Sequence, residues 1–373
     1  MVTTQVTTTM NKTMGSRAME ILQDKIHKGR ETAAALIEKI EYESPEDALV
    51  RGAKLSFGTK QLDDRYVVEA HFGKKNGHGK TLHRNAIAQL AERGGIHAGY
   101  LRGLIEDKLL WKQQLAAEIL NEHYHHDLAA EKRYLARSVH GQLRGWLSDK
   151  YRRLDSRPLV DTFARECQSV GAIPYEGSWS DTRVSLKAVL DQVFEPVPGE
   201  AIALGIEWSN SDFGRGIHAL RAFILRVWCL NGATMENALG QVHLGRQLTD
   251  DIELSQRTYE LDTKASISAL SDVVRGVLAP PKVDRILDNI RRAEEQEINW
   301  KQASAGWSKK LLKSEMELAK EKWEDDGVTD LPPRKTKWKK SNVLSWLANR
   351  ADDEDRKMEL QRMAGEALTG VRD

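Results

Sequence analysis

Positive charge and aromatic side chains are interleaved between Lys132 and Arg157. The stretch has eight basic residues and two acidic ones, Asp149 and Asp155. Guanidinium and ammonium groups bind backbone phosphates, and flat side chains stack on unpaired bases. The stretch therefore predicts a nucleic-acid-binding surface, with single-stranded DNA favoured, that consists of Arg133, Arg137, Arg144, Trp146, Lys150, Tyr151, Arg152 and Arg153.

Ordinary surface charge is the alternative interpretation of this basic stretch. The 373-residue chain has 56 basic and 55 acidic residues, so carboxylates elsewhere can pair with these arginines. Its formal net charge of +1 also means that no field of the whole molecule attracts nucleic acid. Any binding of nucleic acid would depend on local clustering of charge.

A glycine-rich segment at Gly73–Thr81 has the composition of a phosphate-binding loop. The nucleotide-binding pattern fixes the spacing between its first glycine and the Gly-Lys-Thr that ends it. The position where that first glycine belongs is occupied by Lys74. We therefore predict a basic, flexible loop here, and a nucleotide site is the alternative.

Three histidines and a carboxylate lie together in His123-Tyr-His-His-Asp127, at a predicted helix end. His123 and Asp127 would share a helix face, as two metal ligands do. No second pair of ligands is evident nearby, and histidines also suit the negative end of a helix dipole. We therefore predict a solvated helix end rather than a metal site.

No catalytic set can be assigned to the sequence. Acidic runs at Asp325-Asp326 and Asp352–Asp355 are typical of exposed helix ends, and no Ser–His–Asp or Cys–His arrangement is evident. Cys167 and Cys229 lack metal-ligand spacing and indicate a reducing compartment. We predict no catalytic residue, no cofactor and no metal, and we leave enzymatic activity open with a non-enzyme favoured.

The basic stretch would be positioned by a β-hairpin. Tyr134–Val139 and Gln142–Leu147 flank His140-Gly141, which predicts two strands joined by a two-residue loop. Two alternating strands follow, with Val184, Leu186, Ala188 and Leu190 on one face and Ile202, Leu204, Ile206 and Trp208 on another. Ile217–Leu230 fits a helix or a strand, and we prefer a buried strand that ends at Asn231-Gly232.

Helical spacing predominates towards both ends of the chain. It predicts helices at 17–43, 83–92, about 100–123 and 158–170, and long charged helices after 248. The expected class is α+β, with a mixed, largely antiparallel sheet flanked by helices and a helical C-terminal region. The predicted divisions are a disordered tail at 1–16, a helical region with a short strand pair at 17–129, an α+β core at 130–248 and a charged helical region at 249–373.

A second basic run, Arg334–Lys340, follows two prolines. It predicts either an electrostatic arm or a solvated connector. The long tryptophan-bearing helices after residue 285 are expected to contact neighbouring subunits of a homo-oligomer.

Three segments resemble a phage- and plasmid-encoded family of unknown function. Leu147–Tyr151 is similar to that family's Leu-Ser-Asp-x-Tyr segment, Asn210–Gly214 to its Asn-Ser-x-x-Gly turn and Arg226–Gly232 to its Arg-x-x-Cys-x-Asn-Gly segment. The resemblance covers roughly residues 130 to 250, and Leu230 stands where relatives often have threonine. It implies a mobile-element origin and a role in replication or recombination. The expected layout is also similar to that of single-strand annealing proteins.

These features together predict a phage or plasmid nucleic-acid-binding protein that anneals single strands as a homo-oligomer. The alternative is a non-enzymatic interaction or assembly protein of a mobile element, in which the hairpin is ordinary surface. No apolar run has the length of a membrane span, and the N-terminus lacks the apolar core of a secretory signal. We expect a cytoplasmic location in a bacterial host cell, no membrane partner, and structural hydrogen bonds at Asn231 and His243.

Overall fold

The computed structural model of the chain describes residues 12–72, 79–151, 153–229, 232–241, 255–325 and 331–369. The strands of these residues form two six-stranded sheets, and helices cover the sheets and make up the C-terminal region. The predicted α+β class is confirmed. The structure differs from the prediction in having two sheets instead of one.

The described residues form twelve helices and twelve strands. The helices are α1 (Lys12–Tyr42), α2 (Arg84–Arg93), α3 (Ala98–Ile105), α4 (Leu110–His125), α5 (Asp127–Glu131), α6 (Ser156–Ser169), α7 (Gln256–Val277), α8 (Pro280–Glu295), α9 (Trp300–Ala303), α10 (Lys313–Glu324), α11 (Lys337–Ala348) and α12 (Glu354–Thr369). The strands are β1 (Glu46–Arg51), β2 (Ser56–Leu62), β3 (Arg65–His71), β4 (Lys80–Leu82), β5 (Arg133–Val139), β6 (Gln142–Ser148), β7 (Ala172–Trp179), β8 (Val184–Leu190), β9 (Phe194–Val197), β10 (Glu200–Asn210), β11 (His218–Arg226) and β12 (Gly232–Gln241).

The first sheet has the strand order β1-β5-β6-β4-β3-β2, in which β4 and β6 are parallel. The predicted hairpin of β5 and β6 is therefore interior to this sheet, which extends across the predicted division at residue 130. His140 and Gly141 join the two strands with φ angles of 48° and 79°, as a two-residue hairpin turn requires. Helices α2, α3 and α4 supply the core beside it, through residues such as Leu90, Leu101 and Leu120.

The second sheet has the order β12-β11-β10-β8-β7, and β9 also pairs with β10. The two predicted apolar faces lie in one core, where Leu186, Ile206 and Trp208 are fully buried together with Phe163 of α6 and Leu270 of α7. The segment Ile217–Leu230, whose sequence fitted either a helix or a strand, contains strand β11. The opposite face of this sheet packs against α1 and α12.

The C-terminal helices form a core of their own around α11, which is buried from Trp338 to Ala348. The basic run Arg334–Lys340 leads into this helix, and Lys339 is fully buried with its Nζ 5.9 Å from the ring centroid of Trp323. The run is therefore neither an arm nor a solvated connector. Trp307, Trp323 and Trp346 are also buried in this core, and the expected contact of these helices with neighbouring subunits stays a prediction.

Several boundaries also differ from the predictions. The helical pattern at 100–123 is divided into α3 and α4, and α1 begins at Lys12, inside the predicted tail. Strands β1, β7 and β12 had no clear alternating signal in the sequence. None of the described helices combines the length and the apolar character that crossing a lipid bilayer requires.

Candidate nucleic-acid interface

The aromatic residues of the predicted surface lie inside the first sheet. Trp146 is fully buried and stacks on Tyr134, with 4.9 Å between the ring centroids. Tyr151 is buried and its hydroxyl donates to the backbone oxygen of Ser211 at 3.2 Å, and Lys150 is buried as well. Both faces of an interior hairpin are covered, so these side chains are not exposed to nucleic acid in this conformation. This corrects the predicted stacking role of Trp146 and Tyr151.

The predicted arginines that the structure describes are all held by carboxylates. The nitrogen–oxygen distances are 3.6 Å for Arg133–Asp149, 2.9 Å for Arg144–Glu43, 3.5 Å for Arg153–Asp47 and 2.8 Å for Arg137–Asp47. Arg152 lies outside the described residues. The alternative interpretation, in which carboxylates elsewhere neutralise the basic stretch, fits these contacts.

Arg137 connects the two sheets. It is 1% exposed, donates to Asp47, Asp155 and the backbone oxygen of Asp212, and belongs to β5 of the first sheet. Burial lowers the pKa of Arg137, but the charges of the Asp155, Asp47 and Asp212 carboxylates raise it above its ordinary value. The guanidinium is a structural cation that stays charged.

Two of the segments that carry the family resemblance meet at this junction. Tyr151 of the first segment bonds to Ser211 of the second, and Asn210 donates to the backbone oxygen of Leu154 at 2.8 Å. Gly214 has a φ of 78°, the left-handed conformation that a turn ending in glycine uses. The residue types of both segments are therefore explained by packing between the sheets.

An arginine-lined cleft lies between the first sheet's helices, the second sheet and α12. It consists of two adjoining cavities of about 330 and 550 Å³ that share Arg215, Asp353 and Asp355. We call it the arginine cleft. Its walls carry no lysine among the described residues and seven arginines: Arg84, Arg102, Arg183, Arg215, Arg221, Arg356 and Arg362.

Individual arginines are incompletely neutralised in the arginine cleft, although Asp181, Glu207, Asp353, Asp355 and Glu359 also line its cavities. Arg102, Arg215 and Arg221 form no ion pair with a described carboxylate, and Arg362 reaches Glu366 at 3.8 Å. The other arginines are paired, as Arg84 is with Glu106 at 2.7 Å. Guanidinium groups form planar, bidentate hydrogen bonds to phosphate, so the residue type as well as the charge suits a phosphate ligand.

Two helix N-termini also line the smaller cavity. His83, Arg84 and Asn85 begin α2, and Ala98 and Gly99 begin α3. The free N–H groups and the dipole at a helix N-terminus favour an anion. The two helix dipoles therefore add to the attraction that the arginines exert on an anion in this cavity.

His83 forms a pair with Asp181 in this cavity but is not free to act as a base. The Asn85 N–H donates to its Nδ1 atom at 3.2 Å, so Nε2 carries the proton and faces Asp181 at 3.3 Å. Burial lowers the pKa of His83. Both ring nitrogens are therefore engaged, Nδ1 with the start of α2 and Nε2 with Asp181.

Exposed aromatic residues lie on α3 and α4. Tyr100 is 54% exposed and stands between Gly99 and Arg102, which line the smaller cavity. Trp111 is 58% exposed, with Lys112 Nζ 5.7 Å from its ring centroid. Tyr100 is therefore an accessible ring on the helix that carries Gly99 and Arg102, unlike the buried rings of the hairpin.

The sequence did not single out the arginine cleft, because its arginines come from six separate parts of the chain. Asn231, His243 and Gly73–His78 lie outside the described residues. His126 pairs with Glu122 at 3.0 Å, and no group of metal-ligating side chains is found in the part of the chain that the structure describes.

Comparison of the chain with known protein families, curated proteins and solved structures found no match. The site therefore rests on its own geometry and charge.

Proposed function

We propose that this protein binds single-stranded nucleic acid, with backbone phosphates in the arginine cleft. The observation that carries the proposal is the gathering of incompletely neutralised arginines, Arg102, Arg215, Arg221 and Arg362, in one cleft. Phosphate contacts of this kind supply most of the affinity in non-specific binding. The exposed ring of Tyr100, on the same helix as Arg102, offers a surface on which an unpaired base can stack.

The proposed activity is annealing of single strands in the replication or recombination of a phage or plasmid. Annealing forms and breaks no covalent bond, so it needs no catalytic group. This setting comes from the three short sequence segments that resemble a phage- and plasmid-encoded family, since no family model matches the chain. A homo-oligomer would align several clefts along one strand, and β1, an edge strand with Leu49 54% exposed, supports self-association.

Charge reversal at the exposed arginines tests the proposal. Arg102→Glu and Arg215→Glu would each be compared with the wild type by fluorescence anisotropy on labelled single-stranded and duplex DNA. Both positions are exposed and unpaired among the described residues, so folding should be unaffected. We expect affinity for the single strand to fall about ten-fold or more, because each variant removes one phosphate contact and adds repulsion.

Arg285→Glu is the matched control, because Arg285 is exposed on α8 and lines neither cavity. It makes the same change in net charge and should leave affinity within about two-fold, since exposed charges at a distance are screened by salt. Equal losses in all three variants would mean that net charge matters and the cleft does not. Wild-type affinity in both cleft variants would contradict the proposed site.

Binding of a protein partner is a second candidate function. Leu109 and Trp111 are both more than half exposed at the start of α4, and exposed apolar groups of this kind mark interaction surfaces. A protein that shows no nucleic-acid binding at low salt, but whose Trp111→Ala variant loses a partner, would favour this function.

A further inference from the structure

We propose that the inner end of the arginine cleft, at Arg221, binds a phosphate monoester, such as the phosphorylated end of a strand or the phosphate of a free nucleotide. This inference rests on the proposed function where the phosphate belongs to a strand. The proposed ligand group is a phosphate monoester, which the diester phosphates within a strand are not.

Arg221 is the first reason for this assignment. Its Nη1 donates to the Ser209 hydroxyl at 2.8 Å, but its Nε–H is buried and has no acceptor. A guanidinium carries five N–H donors, and a buried donor without an acceptor is costly. Arg221 also forms no ion pair with a described carboxylate, and it lines the cavity.

The charge around Arg221 is the second reason. Burial lowers the pKa of Arg221, the nearby Glu207 raises it, and the smaller effects of Arg362 and Arg183 lower it further. Arg183 is only loosely neutralised, with Asp355 at 3.6 Å. Arg221 and Arg362 therefore repel each other across a cavity whose carboxylates, Glu207 among them, offset part of that repulsion, and an anion between the two arginines would relieve the rest.

A hydroxyl without a partner is the third reason. Thr234 on β12 is 2% exposed, lines the same cavity, and its Oγ1 has no hydrogen-bond partner. Ser209 lines the cavity as well. Hydroxyl groups beside guanidinium groups form the mixed donor set that a phosphate with three terminal oxygens can occupy.

The charge of the ligand separates a monoester from an internal phosphate. A phosphate monoester carries between one and two negative charges near neutral pH and has three terminal oxygens, whereas a backbone diester carries one charge and two such oxygens. The guanidinium groups of Arg221 and Arg362, with the hydroxyls of Ser209 and Thr234, offer donors for three terminal oxygens, which suits the monoester better. The cavity continues into its neighbour at Arg215, so a strand attached to the monoester has a path past Arg102.

Three oligonucleotides of one sequence test the inference: one with a 5′ phosphate, one with a 3′ phosphate and one with hydroxyls at both ends. For the wild type we expect one of the phosphorylated strands to bind about ten-fold more tightly than the hydroxyl strand. Arg362→Gln, at an exposed side chain, and Arg221→Gln should each abolish this preference, so that the phosphorylated and hydroxyl strands bind equally, even where the affinity for both strands falls. Arg285→Gln should retain it. Competition by inorganic phosphate and by a nucleoside monophosphate shows whether the end of a strand is needed.

The outcomes separate this inference from the proposed function. Equal affinity of the wild type for all three strands would overturn the monoester site and leave nucleic-acid binding in place. Binding of the nucleoside monophosphate that depends on Arg221 and Arg362, without binding of any strand, would support the site and contradict the proposed function. A preference for the phosphorylated strand that survives in both variants would place the monoester elsewhere and overturn the inference.

Discussion

Nη1 of Arg137 donates a hydrogen bond to the backbone oxygen of Asp212 at 2.7 Å, which ties β5 of the first sheet to the loop after β10 of the second. The same guanidinium bonds to the carboxylates of Asp47 and Asp155. One buried cation therefore joins segments that are far apart in the chain. This contact explains why an arginine in a predicted nucleic-acid surface is a structural residue.

Replacing Arg137 by methionine should destabilise the protein strongly. Removal of one partner from a buried charge network leaves the remaining charges uncompensated, which costs about 3 kcal/mol of unfolding free energy. Denaturant unfolding of Arg137→Met measures this loss. Arg133→Met is the control, because Arg133 is partly exposed and its ion pair with Asp149 should contribute less than about 1 kcal/mol. Equal losses in the two variants would contradict the structural role of Arg137.

Asp212 should make the protein less stable as pH rises through mild acid. Burial raises the pKa of Asp212 to about 6, although Arg137 opposes the rise. The folded state then keeps a proton that the unfolded state, with the ordinary pKa, has released. The unfolding free energy contributed by this group therefore falls between about pH 4 and pH 6 and stays low above that range.

The Asp212→Asn variant tests this dependence. Its amide oxygen can still accept from the Ser156 N–H, which donates to Asp212 Oδ1 at 2.9 Å. We expect about 1 to 3 kcal/mol more stability than the wild type at pH 7.5, and little difference at pH 4. Thermal unfolding across this pH range measures both values. A variant that is less stable at pH 7.5 would show that the charged carboxylate is needed there.

The prediction from sequence succeeded where the signal is local. The His140-Gly141 turn and the alternation at Val184–Leu190 follow from residues next to one another in the chain. The charge partners of Arg137 and Arg144 could not be read in the same way, because Asp212 and Glu43 are distant in sequence. The arginine cleft was missed for the same reason, since it brings together residues from position 84 to position 362.

Asp355 should weaken nucleic-acid binding in the wild type. Its carboxylate lies in the arginine cleft, 3.6 Å from Arg183, where it occupies a position that a phosphate would otherwise take. Asp355→Asn is therefore expected to bind single-stranded DNA about three-fold more tightly at low salt. Asp352→Asn makes the same change of charge outside both cavities and should have a smaller effect. Tighter binding by Asp352→Asn alone would contradict competition within the cleft.

Lys25 should control the reactivity of Cys229. Its Nζ donates to the backbone oxygens of Val227, at 2.6 Å, and Cys229, and so holds the end of β11 against α1. Burial lowers the pKa of Lys25 to about 8, so the contact is charged below that pH. Lys25→Met should free this turn and raise the rate of Cys229 labelling by a thiol reagent several-fold. The exposed Lys28→Met is the control, and equal rates in all three proteins would contradict this role.

The central claim is that the arginine cleft is the nucleic-acid-binding site. The most direct test is hydrogen–deuterium exchange, measured with and without a saturating single-stranded oligonucleotide. The account predicts slower exchange at the walls of the cleft, in residues 180–183, in the loop and strand at 211–221 and at the start of α12. The buried hairpin of β5 and β6 should exchange equally in both samples. Protection confined to the hairpin and to residues 149–153, with none at the cleft, would contradict the claim.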